Sequence, residues 1–262
     1  MQIPAFLAHY FCTNKKFLIY NMVSRNLKIK YRRSYLGIFW TVLAPISTAF
    51  IYFLVFQVIM KVKQEHYLVV VFSGILAWNF FVQCLSESVS LYVDSTSLLT
   101  KVPIPIHLFN LVNLMVNSVT FIVSIFVVLG VTLISMGTLS KQLLLLPYFM
   151  MCLGLINYAF SILFSSLFVF FRDLRQVIAI FLQLMFYGTP ILYSKSMVPD
   201  QWRWILNLNP MGHLIPGIKA CFTGVVENTF AENLSPLLWV IALNVFAFSI
   251  VKSARNHIVE NL

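Results

Sequence analysis

Three rows of polar side chains interrupt an otherwise apolar sequence, and their spacing is helical. Thr41, Pro45, Thr48 and Tyr52 fall on one helix face, as do Asn110, Asn113 and Asn117, and again Gln183, Tyr187 and Pro190. In a bilayer such side chains turn away from lipid, toward other helices or a wet path. For the asparagine row the simpler chemistry is hydrogen bonding between helices. The Thr/Tyr and Gln/Tyr faces fit helix packing and the wall of a path equally well. Faces mixing Tyr with Thr and Gln suit sugars, whose C–H faces lie on rings while their hydroxyls find hydrogen-bond partners.

Catalysis finds little support. Asp200 stands alone, no HExxH motif occurs, and the five histidines (His9, His66, His107, His213, His257) are scattered. Cys12, Cys84, Cys152 and Cys221 lie far apart, without CxxC or Cys/His spacing, so neither a zinc site nor a disulfide framework is indicated. No glycine stands in a GxxxxGK[ST] phosphate loop. Uphill transport by this chain would therefore draw its energy from another chain. Glu87 is the single acid near a span interior. One acid is a thin basis for a proton relay, and pairing with a neighbouring base is the alternative.

The elements that must position these residues follow from composition. Of 262 residues 60% are hydrophobic and 10% charged, with 25 Phe. Mean hydropathy is +0.87. A soluble globule carries roughly 25% charged residues, so the surplus apolar surface must face lipid. Six apolar runs, Tyr35–Met60, Tyr67–Leu85, Leu108–Met136, Leu143–Phe171, Val177–Tyr193 and Leu234–Val251, each approach or exceed the ~17–25 residues of a membrane-crossing helix. They are too long for barrel strands. The fifth is short and ends in Gly188-Thr189-Pro190, which predicts a break or kink. No small-residue cleavage site follows a short apolar core near the N-terminus, which argues against a removable signal peptide.

The net charge of +10 would suggest nucleic acid in a soluble chain. Here the Lys and Arg residues concentrate before the first span, in loops 86–107 and 172–176, and after the last span. Positive-inside asymmetry then puts both termini in the cytoplasm and excludes a nucleic-acid footprint. Before the first span, Tyr20, Val23, Leu27 and Tyr31 share one helix face and Arg25, Lys28 and Arg32 the other. This predicts a basic amphipathic helix on the cytoplasmic surface, in contact with membrane lipids. It serves either as a topology anchor or as a movable element meeting a partner or a phosphate. Segment 194–233 carries prolines and glycines between apolar residues and predicts short amphipathic helices at, or dipping into, the outer interface. The whole chain, 1–262, reads as one all-α transmembrane domain.

Several segments together resemble a known family. Residues 31–45, Tyr-Arg-Arg-Ser-Tyr-Leu-Gly-Ile-Phe-Trp-Thr-Val-Leu-Ala-Pro, are similar to the entry into the first span of ABC-2 type permease subunits of bacterial polysaccharide exporters. Lys101-Val102-Pro103-Ile104-Pro105, Phe171-Arg172-Asp173-Leu174-Arg175-Gln176, Tyr187-Gly188-Thr189-Pro190-Ile191-Leu192-Tyr193 and Asn209-Pro210-Met211 follow in order. The family often has an arginine after the Asn-Pro element where this chain offers Lys219. The resemblance implies a homodimer of six-span subunits over separate ATPase subunits. These would hold ATP and Mg, with no cofactor in this chain, and the lipid-linked glycan would be O-antigen, capsule or teichoic acid. It also implies a gate helix, with Arg25, Lys28, Arg32 and Arg33 as its basic residues, and short re-entrant helices between spans five and six. Lys101, Pro103, Arg172, Asp173 and Arg175 would form the coupling edge at the cytoplasmic side of the inner membrane. Spans one and five would line a path with Thr41, Thr48, Tyr52, Gln183, Tyr187 and Tyr193. The alternatives are an exporter of a small amphiphile or drug and a membrane-embedded glycosyl-modifying enzyme.

Overall fold

The computed structural model describes residues 15–31, 35–61, 66–99 and 104–260, and every regular element among them is helical. We number the helices α1 (Lys15–Tyr31), α2 (Trp40–Tyr52), α3 (Tyr67–Ser88), α4 (His107–Met136), α5 (Leu146–Phe170), α6 (Leu174–Tyr187), α7 (Leu214–Thr223) and α8 (Phe230–Glu260). Long apolar runs leave the backbone to satisfy itself, and a helix does so within one segment. Local signals set the ends. Gly137 closes α4 at φ +70, its N–H donating to the Leu133 carbonyl at 2.9 Å. Before α5, the Ser140 hydroxyl accepts from the Gln142 N–H at 3.1 Å, and Pro147 occupies the first turn. α2 continues as a π-helix over Phe53–Ile59, with the Met60 N–H reaching the Val55 carbonyl five residues back at 2.9 Å. Such winding is rare.

Five segments are long and apolar enough to cross a bilayer: Trp40–Ile59, Tyr67–Ser88, His107–Met136, Lys141–Phe170 and Phe230–Ser253. They match the first four and the last of the expected spans. The fifth expected span differs. α6 has 14 residues, about 21 Å at ~1.5 Å per residue, against a hydrocarbon core of ~30 Å. It stops at Gly188. The Thr189 hydroxyl folds back to the Met185 carbonyl at 2.7 Å, and Pro190 follows with no N–H to continue the ladder.

α3 is the hub, packing on α4, α5, α6 and α7, while α8 runs along α5. Phe72, Phe81, Phe149, Leu153, Ile156 and Ile215 fill the centre. The asparagine row joins helices, as its spacing suggests. Asn110 Nδ2 donates to the hydroxyls of Ser161 (2.8 Å) and Ser165 (2.9 Å) on α5, and its Oδ1 accepts from the Tyr92 hydroxyl at 2.6 Å. Asn113 Nδ2 donates to the Cys84 carbonyl of α3 at 2.9 Å. Bonds of this kind between membrane helices contribute about 0.6 kcal/mol each on average.

Two expectations change. α1 packs on α4 through Leu18, Ile19 and Met22, which meet Ile104, Leu108 and Phe109, whereas Tyr20 is 70% exposed. The helix thus has a protein-packed face that the sequence pattern did not single out, and Tyr20 stays outside that contact. The segment after α6 forms short helices as expected, namely Lys195–Met197, Asp200–Trp202, Trp204–Leu208 and α7. Yet α7 is not amphipathic in its setting, since all ten of its residues are buried against α3 and α5. Gly217 permits this: a Cβ there would lie 2.4 Å from the Phe149 ring.

Candidate functional site

The candidate path residues separate into two groups, both on helices that pack against α3. Thr41 is buried and Thr48 half-buried, and both line a cleft of about 400 Å³ between α2, α3 and α4. The Thr48 hydroxyl donates to the Ala44 carbonyl at 2.9 Å. Asn79, Gln83, Asn117, Thr120 and Ser124 face the same cleft, and Lys30 of α1 reaches it. Tyr52 lies apart, stacked on Phe56 at 6.0 Å, and Phe56 meets Tyr67 edge-on at 5.6 Å.

Gln183 and Tyr187, one turn apart on α6, are exposed, Tyr187 by 69%. Ile180 and Leu184 are exposed on the same helix, so its outward surface is apolar with two polar tips. Tyr193 is half-buried and its hydroxyl donates to the Tyr187 carbonyl at 2.9 Å, tying the turn after α6 to the helix end. The structure therefore brings Thr41 and Thr48 together, and Gln183, Tyr187 and Tyr193 together, but leaves the two sets on different helix pairings.

At the other end of α6, Arg172, Asp173 and Arg175 are exposed. Both guanidinium groups sit over the Phe168 ring, 5.5 Å and 5.6 Å from its centre. This contact favours a cation on the ring face. Asp173 precedes the first turn of α6, where a negative charge suits the helix dipole. On α1, Arg25 and Lys28 are exposed and border a shallow groove with Asn21 and Ser24. Arg32, Arg33, Lys101 and Pro103 lie outside the described residues.

Sequence reasoning missed Lys30. Its ammonium donates to Glu87 Oε1 at 3.1 Å and to Asn117 Oδ1 at 2.9 Å. Glu87 also accepts from Asn117 Nδ2 (2.7 Å) and Gln83 Nε2 (3.3 Å). Glu87 thus pairs with a base, as one of its two readings had it. The signal was available: Lys30 follows Ile19, Met22 and Asn26 at helical spacing on the packed side of α1.

In the segment between α6 and α8, Lys219 is buried, and its ammonium donates to the Pro190 and Tyr193 carbonyls at 2.5 Å and 3.2 Å. Lys195 pairs with Glu232 at the start of α8. Among the described residues no group of three or more His, Cys, Asp or Glu side chains converges as a metal site.

The model of the family described as ABC-2 type transporter matches residues 18–223, from α1 through the end of α7. The chain belongs to that family. With its long apolar helices, this ABC-2 protein is a multi-pass membrane protein. It is similar to a Klebsiella pneumoniae protein named O-antigen export system permease protein RfbA. The two are 29% identical over 235 residues, covering 87% of this chain and 90% of the relative. A Myxococcus xanthus protein of the same name is 30% identical over 251 residues, covering 94% and 95%. Both alignments span most of each ABC-2 chain, so the similarity is not confined to one local motif.

Proposed function

We propose that this chain is the permease subunit of an exporter that moves a lipid-linked polysaccharide, O-antigen or a related surface glycan, outward across the bacterial inner membrane. The similarity along nearly the whole chain to proteins named as O-antigen export permeases carries this reading. The helix faces agree with it. A polymer passing in single file needs many weak, interchangeable contacts, since one tight site would stall it. Rings beside hydroxyls and amides supply such contacts, as at Tyr187 and Gln183.

On this reading two copies face each other through α2, whose outward surface is apolar, and α6, whose outward surface is apolar with polar tips. Thr41, Thr48, Tyr52, Gln183, Tyr187 and Tyr193 are the residues nearest the cargo. The chain crosses the membrane six times, α6 and the segment after it making the fifth crossing, with both termini cytoplasmic. A separate ATPase subunit holds ATP and Mg and pushes on the edge formed by Arg172, Asp173 and Arg175, while Arg25 and Lys28 belong to a gate helix.

The test is genetic. Deletion of the gene should leave the cell surface without its long-chain polysaccharide, with undecorated lipid-linked polymer accumulating inside, and re-expression should restore export. An unchanged surface polysaccharide in the deletion strain would overturn the reading.

A further inference from the structure

α3 is buried along most of its length, yet Asn79, Gln83 and Glu87, four residues apart in turn, are exposed. All three are polar, so the most enclosed of the spans keeps its open side for amides and a carboxylate. Facing it, α4 offers Asn117, Thr120 and Ser124 at successive turns, and α2 offers Thr41 and Thr48. These stripes, apart from Glu87, converge on the cleft of about 400 Å³, a volume within the ~300–1,000 Å³ of small-ligand sites.

Among the described residues the charges at the cleft cancel: Lys30 is the one charged side chain of that lining, and its ammonium is already held by Glu87 at 3.1 Å. The pair offers no surplus charge to a phosphate. The other polar lining groups are amides, which donate and accept, and hydroxyls, which do both through one oxygen. Trp40, Phe80 and Phe121 supply aromatic walls, the last two stacked at 4.4 Å. Neutral groups of both hydrogen-bonding senses beside flat rings match a sugar, with its hydroxyl rim and C–H face.

We propose that this cleft is a binding site for one or two neutral sugar rings, complete within a single protomer and separate from the surface of α6. The proposal deepens the export reading and rests on it only for where the sugar comes from. Thr41, Thr48, Asn79, Gln83 and Thr120 hold the hydroxyls, Trp40 covers the ring, and the Lys30–Glu87 pair closes one end.

The experiment uses the full chain in lipid nanodiscs, its four cysteines replaced by alanine and Ala44→Cys introduced as a reporter on the cleft wall. Labelling by a small water-soluble thiol reagent is timed with three probes that share one alkyl chain and stay below their micelle concentrations: dodecyl maltoside, dodecyl phosphocholine and dodecyl phosphate. At about ten times its dissociation constant the maltoside should slow labelling about tenfold, as mass action requires of an occupied site. At the same concentration the two phosphate-bearing probes should leave the rate within about twofold, that is, with the site no more than about half occupied. Gln83→Leu, and independently Thr120→Val, should restore labelling in the presence of maltoside while the protein still elutes as one species. No slowing by maltoside, equal slowing by all three probes, stronger slowing by dodecyl phosphate, or a reporter that never reacts would each overturn the proposal. Maltoside protection in a protein whose gene deletion leaves the cell surface unchanged would keep the cleft and remove the export reading, so the two fail separately.

Discussion

Lys30 reaches a carboxylate 57 positions further along the chain, and the contact joins the N-terminal helix to the span that anchors the core. Its side chains are 23% and 38% exposed, so solvent screens it and its share of stability is below about 1 kcal/mol. Its effect is positional. Glu87→Gln should leave thermal unfolding nearly unchanged while speeding amide exchange along α1, and the swap Lys30→Glu with Glu87→Lys should slow exchange again. Unaltered exchange in Glu87→Gln would show that the apolar contacts of Leu18, Ile19 and Met22 suffice. Lys219 gives a second test. Lys219→Met leaves the Pro190 and Tyr193 carbonyls without their donor and should lower the unfolding temperature in detergent.

Between helices, α7 approaches α5 closely at Gly217. Adding one methyl group at Gly217 would place it 2.4 Å from the buried Phe149 ring, which belongs to the core cluster. Gly217→Ala should destabilise by about 1–3 kcal/mol, as overpacking does. Phe149→Leu should relieve part of that loss in the double variant, read as thermal unfolding of the purified protein. This contact was not legible in the sequence, because 194–233 shows only breakers and short apolar runs, and nothing local says that α7 faces protein on every side. The long spans were legible because length and hydropathy mark them whether a face meets lipid or, as along α3, other helices. The end of α6 was half legible: Gly188-Thr189-Pro190 signalled a break, but the apolar residues beyond it hid that the helix had already stopped. At α1 the helix was legible but the face that packs on α4 was not, because Leu18, Ile19 and Met22 lie off the row that the charge pattern sets apart.

For the whole molecule, the two tyrosines once grouped on a single path now predict different outcomes. Tyr52 is half-buried against Phe56, so Tyr52→Ala should cost roughly 2 kcal/mol, about half of a full aromatic truncation in a core. Tyr187 is open on α6, so Tyr187→Ala should leave stability unchanged and, on the export reading, slow the appearance of surface polysaccharide at normal protein levels. Tyr187→Phe should be tolerated. Thermal unfolding and a pulse-chase of surface glycan, run on the same variants, separate the two roles. Loss of stability in Tyr187→Ala without any change in export per folded molecule would place that ring in an interface between copies rather than beside the cargo.

The early end of α6 also bears on the lipid around it. A helix about 9 Å shorter than the surrounding hydrocarbon cannot be matched by tilting, which only shortens its reach further. The bilayer must thin toward it, or the segment that follows must complete the crossing with its own backbone. In the first case the greasy barrier is thinner beside α6 than along the longer spans. On the export reading, a row of hydroxyls passing there would be stripped of water over a shorter distance, so the same short helix that interrupts the regular bundle would lower the toll on a hydrated passenger.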